Sequence, residues 1–122
     1  MTPVARMLTI GAVLLSPGLV LALDGTTWRS LDQDVRAVYV WGVVETWGHI
    51  RVAYELEQKE SVRQMTSTEK HFVDLEQCIT KRHMKWAQVV AIVEKYMNDH
   101  PDQWNYQMSS IIWSAMDEAC KK

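Results

Sequence analysis

The sequence lacks the features of several common functional classes. It has no cluster of Lys and Arg; apart from Arg6, which lies in a leader segment described below, 12 basic residues stand against 15 acidic ones. This mildly acidic balance gives no reason to expect nucleic acid or a membrane surface as a partner, because such partners are usually met by clustered positive charge. The chain also has no internal repeat and no low-complexity tract.

Motifs for catalysis are missing as well. There is no glycine-rich phosphate-binding loop and no Gly-x-Ser-x-Gly nucleophile elbow. Glu45 and His49 lie four residues apart and would share one face of a helix, which is a conceivable acid-base pair. A lone helical Glu-His contact is more often a surface interaction, and no nucleophile accompanies this one. We therefore expect no catalytic residue.

Metal-binding patterns are equally weak. His71, Cys78 and His83 match no compact zinc signature, and no second pair of ligands completes them. A cysteine that forms a disulfide is also lost as a thiolate ligand. The sequence predicts neither a metal site nor a cofactor.

The first 22 residues have the composition of a secretory signal peptide. One positive charge at Arg6 precedes an apolar run, and small residues lead up to a cleavage position after Ala22. The alternative is a membrane anchor, but the uncharged run over 7–23 is at the short end of the roughly 17 to 25 residues that a spanning helix needs, and Pro17 interrupts it. We expect export to the periplasm and a single mature domain at 23–122, with no membrane association after cleavage.

Cysteine is scarce, with only Cys78 and Cys120 in the chain. An even pair in an exported protein predicts a disulfide, because the compartment is oxidising and a small core benefits from a cross-link. The bond would close a loop of about 41 residues, to which the chain-entropy model assigns about 4 kcal/mol. That is a large share of the free energy of unfolding of a small domain, which is roughly 5 to 15 kcal/mol.

Two periodic apolar patterns in the second half predict an antiparallel helical hairpin. The first pattern indicates a helix at about 85–98, and the second covers 104–119. Pro101 separates them and suits the first turn of the second helix. A short connection makes the helices antiparallel neighbours, which brings Cys78 and Cys120 to the same end.

The upstream half is harder to interpret. Ser30 and Gln33 have the spacing of a capping box, and the long periodic segment after them favours a helix, although "VYVWGVV" has strand propensity. Its wide apolar face would consist of a main stripe and a row beside it: Leu31, Val35, Val38, Gly42, Thr46 and Ile50 in the stripe, and Tyr39, Val43, Trp47 and Tyr54 in the row. The polar segment 61–77 is aperiodic and is expected to be a loop with at most one helical turn. The predicted fold is therefore all-α, a small helical bundle with an antiparallel helical hairpin closed by one disulfide.

Five of the six tryptophans divide into two groups by position. Trp47, Trp86 and Trp104 lie on apolar stripes and are expected in the core, whereas Trp41 and Trp113 lie beside polar or charged residues. Surface aromatics near charge are typical of protein-binding hot spots, although coverage of a further core layer is the alternative. The candidate partner-binding residues are Trp41, Glu45, His49, Tyr106 and Trp113.

The segment from Cys78 to Cys120 resembles the Rap/Tai immunity family of the type VI secretion system. The shared features are the two terminal cysteines, Gln88 and Val89 at a helix start, Tyr96, His100 followed by Pro101, and Ala115. Upstream, the segment 39–45 is similar to the family's Tyr-x-x-Gly-x-x-acid pattern. The sequence departs from the family where "TKRHM" replaces a turn with Pro and Gly, and where no proline precedes the last cysteine.

The resemblance implies a periplasmic, all-helical and often dimeric protein that is not an enzyme. Such proteins bind a peptidoglycan amidase toxin delivered by neighbouring cells and block its cysteine-histidine cleft. A rigid hairpin closed by a disulfide loses little entropy on binding, which favours tight inhibition. The second interpretation is a stand-alone periplasmic helical protein with a chaperone-like or envelope-stress role.

Overall fold

The computed structural model describes residues 23–57 and 64–121, and these form five α-helices with no strand among them. The helices are α1 (Gly25–Arg29), α2 (Gln33–Glu57), α3 (Ser67–Lys81), α4 (Trp86–Asp99) and α5 (Met108–Cys120), with a short 3-10 turn (Pro101–Gln103) between α4 and α5. The all-α prediction is confirmed. The predicted signal peptide lies outside the described residues.

Four of the helices form a closed bundle. The long helix α2 packs against α3 and α4, and α5 packs against the same two helices from the other side. The core between them is apolar and buried, and its members are Val40, Val44, Trp47, Leu75, Ile79, Val89, Val90, Val93, Met97, Met108, Ile111, Ile112, Ala115 and Met116. The short helix α1 adds Trp28, which is only 1% exposed and was not singled out in the sequence.

The predicted main stripe of α2 is wrong, whereas Trp47, in the row expected beside that stripe, is buried. Val38 on that stripe is 64% exposed, whereas Val40, Val44 and Trp47 form the buried face. The segment "VYVWGVV" offers apolar side chains in every direction, so periodicity alone cannot select the inward face. That face is determined by contacts with α3 and α4, which are remote in sequence.

The predicted capping box at Ser30 is also wrong. Ser30 lies at the carboxyl end of α1, where its Oγ donates a hydrogen bond to the carbonyl oxygen of Thr27 at 2.7 Å. The helix α2 begins three residues later, at Gln33. A Ser or Thr hydroxyl can bond to the backbone at either end of a helix. The spacing of Ser30 and Gln33 therefore did not distinguish the end of α1 from the start of α2.

The segment expected as a loop contains α3. Thr66 Oγ1 accepts the amide of Glu69 at 3.2 Å, and the Glu69 carboxylate accepts the amide of Thr66 at 3.4 Å, which is a complete capping box. The helix then buries Val73, Leu75 and Ile79. Cys78 consequently lies within α3 and not just before α4 as expected.

The hairpin of α4 and α5 is confirmed, but its second helix starts later than expected. Pro101 ends α4 and opens the 3-10 turn, and α5 begins only at Met108. Trp104 therefore precedes α5, and its indole Nε1 donates to the carbonyl oxygen of Met97 at 2.7 Å. The same carbonyl oxygen accepts the amide of His100 at 3.3 Å, so two bonds pair an acceptor in the last turn of α4 that the α-helical pattern leaves without a donor.

The predicted disulfide is confirmed. Cys78 and Cys120 are bonded, with their Cα atoms 6.2 Å apart. The bond joins the last turns of α3 and α5, at the end of the bundle where Arg82 Nη1 also donates to the carbonyl oxygen of Ala119 at 3.2 Å.

Arg36 attaches α1 to the rest of the bundle. Its Nε and Nη2 donate to the carbonyl oxygens of Trp28 and Arg29 at 3.2 and 2.7 Å, and its Nη1 pairs with Glu94 of α4 at 2.7 Å. The rigid fork of a guanidinium suits such a three-way contact. Asp24 caps α1 by accepting the Thr27 amide at 2.7 Å, and this hydrogen bond lowers the pKa of Asp24.

Candidate protein-binding site

The five candidate residues fall on three separate parts of the surface. Trp41, Glu45 and His49 lie together on α2 and line one groove. Trp113 on α5 lines a second groove, and Tyr106 lines neither.

The larger groove, here called the Trp41 groove, has a volume of about 580 Å³. Besides the three candidates on α2, it is lined by the end of α3, the turn at His83 and Met84, and Trp86 at the start of α4. Trp86 was expected in the core and is 37% exposed, so that prediction is wrong. It is the first residue of α4, where the periodic pattern begins but no facing helix covers the side chain.

An ion-pair network borders the Trp41 groove. Arg51 of α2 contacts the carboxylates of Glu55 at 3.2 Å and Glu76 at 3.5 Å, and the second contact crosses from α2 to α3. The hydrogen bond to Glu55, followed by the charge of Glu76, raises the pKa of Arg51. These contacts leave Glu45 as the acidic group of this groove that is not paired with Arg51.

The turn beside this groove contains the one non-glycine residue of the described chain with a left-handed backbone. His83 has a φ of 52° and follows the carboxyl end of α3. Glycine is the usual residue at such a position. The turn "TKRHM" therefore keeps a conformation suited to glycine although no glycine is present.

The smaller groove, here called the Trp113 groove, has a volume of about 290 Å³ and a wall that is mostly apolar. It is lined by Val43, Thr46, Trp47, Ile50, Phe72, Ser109, Ser110 and Trp113. A chain of rings holds Trp113 in place: its ring centroid lies 5.7 Å from that of Phe72, which in turn lies 5.9 Å from that of Trp47 in the core.

A polar contact supports Trp113 from the other side. The ring of His71 meets that of Trp113 edge-on at 5.5 Å, and His71 Nε2 lies 2.8 Å from Asp117 Oδ1. Lys121 Nζ lies 2.7 Å from the other oxygen of Asp117. The hydrogen bond from Lys121 lowers the pKa of Asp117 most, and His71 adds to the effect.

Sequence reasoning missed His71 and Phe72 as parts of this site. Both lie in the segment that was expected to be a loop, so neither residue was assigned to a helix face. The signal that could have found them is the Thr66 to Glu69 capping box, which places both residues in the second turn of a helix.

Tyr106 lies between the 3-10 turn and α5 and is half-exposed. Its carbonyl oxygen accepts the amide of Gly25 at 3.3 Å, which helps to dock α1. The side chain stands apart from both grooves.

The described residues contain no group of three His, Cys, Asp or Glu side chains able to hold a metal ion. His71 contacts Asp117, Cys78 is in the disulfide and His83 lines the Trp41 groove, so these three residues do not converge. Among the same described segments, no helix is both long and apolar enough to cross a membrane.

A helical bundle with half-exposed aromatic side chains in surface grooves has the form of a protein-binding domain. The chain matches the family model of the Rap1a immunity proteins over residues 19–120, and it therefore belongs to this family. Comparisons with curated proteins and with solved structures gave no match. Membership implies that the chain binds a secreted toxin as its partner, in a family that is generally non-catalytic.

Proposed function

We propose that the protein binds and inhibits a peptidoglycan amidase toxin that a type VI secretion system delivers to the periplasm. Family membership over residues 19–120 is the observation that carries this proposal. The signal-peptide composition of the first 22 residues supports action in the periplasm. The inhibition is by surface contact, with no reaction catalysed by the immunity protein.

Within this proposal, the Trp113 groove is the surface that contacts the toxin. Trp113 is 37% exposed, yet its ring is held between Phe72 and His71. A fixed aromatic side chain loses little entropy when a partner covers it, and tryptophan in a well-packed setting is the commonest kind of hot spot. The apolar wall of the groove would receive an apolar side chain of the toxin. Asp117 and Lys121 form an ion pair next to His71, which supports Trp113.

The test is co-expression with any peptidoglycan amidase that proves to be encoded beside this protein, with the toxin directed to the periplasm and cell survival scored. Cells with the wild-type protein should survive. Trp113→Ala should weaken toxin binding by about 2 kcal/mol or more, roughly thirtyfold in affinity, and permit lysis. Binding of the purified pair by calorimetry gives the affinity directly.

Trp86→Ala is the matched control, because Trp86 is also 37% exposed but lies in the other groove. Its affinity for the toxin should stay within about twofold of wild type, since it removes the same surface area away from the proposed contact. Alanine variants of the other four candidates are compared in the same assay: Trp41, Glu45, His49 and Tyr106. Full affinity with Trp113→Ala would refute this surface, and lysis with the wild-type protein would refute the assignment to that toxin.

A further inference from the structure

The Trp41 groove differs in chemistry from the Trp113 groove. The wall of the Trp113 groove is mostly apolar, whereas the wall of the Trp41 groove is about as polar as it is apolar. Its volume of about 580 Å³ falls within the roughly 300 to 1,000 Å³ of small-molecule sites, which combine apolar surface with a few polar groups. The proposed function uses the Trp113 groove and leaves this larger one without a role.

The apolar part of the Trp41 groove consists of a buried floor and two indole rings. Val44 of α2 and Ile79 of α3 are each 4% exposed and form the floor. Trp41 of α2 and Trp86 at the start of α4 are half-exposed in its wall. Within the described residues, neither indole is stacked on another aromatic ring. Two indole rings on different helices are thus available to a ligand.

Part of the polar wall is already paired. Arg51 contacts the Glu76 carboxylate at 3.5 Å, and Thr80 Oγ1 donates to the carbonyl oxygen of Glu76 at 3.0 Å. Other side-chain groups of the wall have no partner in the part of the chain that the structure describes. These are a carboxylate, two imidazoles and two indole N–H groups, on Glu45, His49, His83, Trp41 and Trp86. Together they offer a ligand both donors and acceptors.

The backbone at His83 indicates that its side chain has a use. The φ of 52° at this position suits glycine better than a residue with a Cβ. A glycine would form the same turn with less strain, but it would remove the imidazole from the wall of the groove. Backbone strain of this kind concentrates at functional sites. The conformation of His83 is therefore a second observation, independent of the groove's volume, that points to a ligand.

The charges around the Trp41 groove do not favour an ionic ligand. In the wall, the carboxylates of Glu45 and Glu76 are offset in part by Arg51. Lys81 and Lys85 are exposed at the two ends of the neighbouring turn. Both signs of charge thus surround the site. A neutral ligand with many hydroxyl or amide groups fits this mixture better than an anion or a cation, because it pairs donors and acceptors without adding charge.

We propose that the Trp41 groove binds a short saccharide that contains N-acetylated amino sugars. The C–H groups on one face of a sugar ring pack against the electron-rich face of an indole, so Trp41 and Trp86 provide the stacking surfaces. The hydroxyl groups at the edge of the sugar ring donate to the Glu45 carboxylate and exchange hydrogen bonds with the imidazoles of His49 and His83.

The acetamido group is the feature that separates an N-acetylated amino sugar from a plain sugar. Its N–H is a donor for the Glu45 carboxylate, and its methyl group matches the apolar side chains of Val52 and Met84 in the same groove. The proposed function would place the protein in the compartment that holds peptidoglycan, whose glycan strand is made of N-acetylated amino sugars. The choice of this sugar class rests on the proposed function, whereas the saccharide chemistry of the groove does not.

The saccharide site is separate from the proposed toxin surface, because the two grooves share no lining residue. A saccharide in the Trp41 groove and a toxin at the Trp113 groove can therefore be bound at the same time. Attachment to the glycan strand through one groove would hold the protein, with its toxin surface free, beside the polymer that an amidase toxin cuts.

The probe for this site is chitotriose, the β-linked trimer of N-acetylglucosamine. The readout is the set of indole N–H signals in proton–nitrogen correlation spectra of the mature protein. Titration with chitotriose into the millimolar range should shift the signals of Trp41 and Trp86 and leave that of Trp113 unchanged. Cellotriose, which has a hydroxyl in place of each acetamido group, should bind about tenfold more weakly, because the bond to the Glu45 carboxylate and the methyl contact are reduced.

Two variants test the residues. Trp86→Ala should weaken chitotriose binding about tenfold, because it removes one stacking surface. Glu45→Gln keeps the size of the side chain but loses its charge, and should weaken binding about fivefold. Trp113→Ala is the matched control, since Trp113 has the same 37% exposure as Trp86 and lies outside this groove; it should bind chitotriose as the wild type does. The remaining indole signals report whether each variant keeps the fold.

Unchanged signals of Trp41 and Trp86 throughout the titration would overturn the proposal. An equal shift at Trp113 would do the same, because it would indicate stacking on any exposed indole. Equal binding of cellotriose would overturn the choice of amino sugars. No toxin takes part in these measurements, so they succeed or fail independently of the survival assay. Loss of chitotriose binding by Trp86→Ala with unchanged toxin affinity, and the reverse for Trp113→Ala, would show two separate sites.

Discussion

At the residue scale, the packing around Gly25 leaves no room for a side chain. A Cβ at this position would lie 2.9 Å from the carbonyl oxygen of Trp104 and 3.0 Å from side-chain atoms of Ile111 and Met97. Gly25 starts α1, which brings Trp28 into the core. The space at Gly25 therefore decides how closely α1 can approach the hairpin of α4 and α5.

We predict that Gly25→Ala destabilises the protein by about 1 to 3 kcal/mol, because the backbone carbonyl of Trp104 cannot move aside without shifting the 3-10 turn. Gly48→Ala is the control. It lies inside α2, where the added Cβ would meet the Glu76 side chain at an ordinary 3.6 Å, so it should stabilise the protein by about 0.5 to 1 kcal/mol. Urea denaturation of both variants measures the two values; equal effects of the same sign would contradict this account.

Individual side chains could be placed from sequence only where a helix face was unambiguous. Trp47 was correctly expected in the core. For Trp41 and Trp113 the sequence left surface exposure and burial under a further layer open, and the structure leaves both exposed. Trp86 was misplaced because it is the first residue of its helix and lines an open groove, where it stays 37% exposed. The ring of His71 contacts that of Trp113 across α3 and α5, and no local sequence pattern predicts a contact between two helices.

At the element scale, the disulfide is the main covalent constraint on the bundle. It ties α3 to α5, two helices separated by α4 in the chain, across 42 positions. Cys120 is packed against the core cluster and is half-buried. The bond therefore fixes one end of the bundle and limits how far α3 can separate from the hairpin.

We predict that Cys120→Ser lowers the free energy of unfolding by about 2 to 4 kcal/mol, since the unfolded chain regains the entropy of the open loop. Cys78→Ser should have a similar effect, and the double variant should be no less stable than the single ones. Thermal unfolding with and without reductant provides the control: reductant should destabilise the wild type and leave the variants unchanged. Two reactive thiols in the denatured, unreduced wild type would contradict the pairing.

The helices differed in how well the sequence predicted them. The helix α4 was predicted at about 85–98 and occupies Trp86–Asp99, because valines at helical spacing leave little doubt about its face. The helix α3 was missed because its first half, "STEKH", is polar and its apolar residues are few. It depends on a cap at Thr66 and on tertiary contacts with α2, and only the cap is visible in the sequence.

At the scale of the whole molecule, the bundle carries two grooves that share the helix α2. The Trp113 groove lies where α2, α3 and α5 meet, and the Trp41 groove lies between α2, the end of α3 and the start of α4. The helix α2 supplies Trp47 and Ile50 to the first groove and Glu45 and His49 to the second. Under the proposed function, a toxin bound at the Trp113 groove would leave the Trp41 groove uncovered.

The first residues of the predicted mature chain, which would start after Ala22, pack against the hairpin of α4 and α5. The carbonyl oxygen of Leu23 accepts the amide of Met108 at 2.8 Å, and Asp24 both caps α1 and forms a bridge with Gln107. Leu23 also packs against the core cluster. The first residue of the predicted mature chain is thus already part of the structure.

We predict that the protein isolated from the periplasm has the mass of residues 23–122. A chain that starts at Gly25 should melt several degrees lower than one that starts at Leu23, because the amides of Met108 and Thr27 lose their acceptors at the ends of two helices. Intact-mass spectrometry and thermal unfolding measure the two effects. A mass of the uncleaved chain, or equal melting temperatures for the two starts, would contradict the assignment of the processing site or the role of Leu23 and Asp24 in the fold.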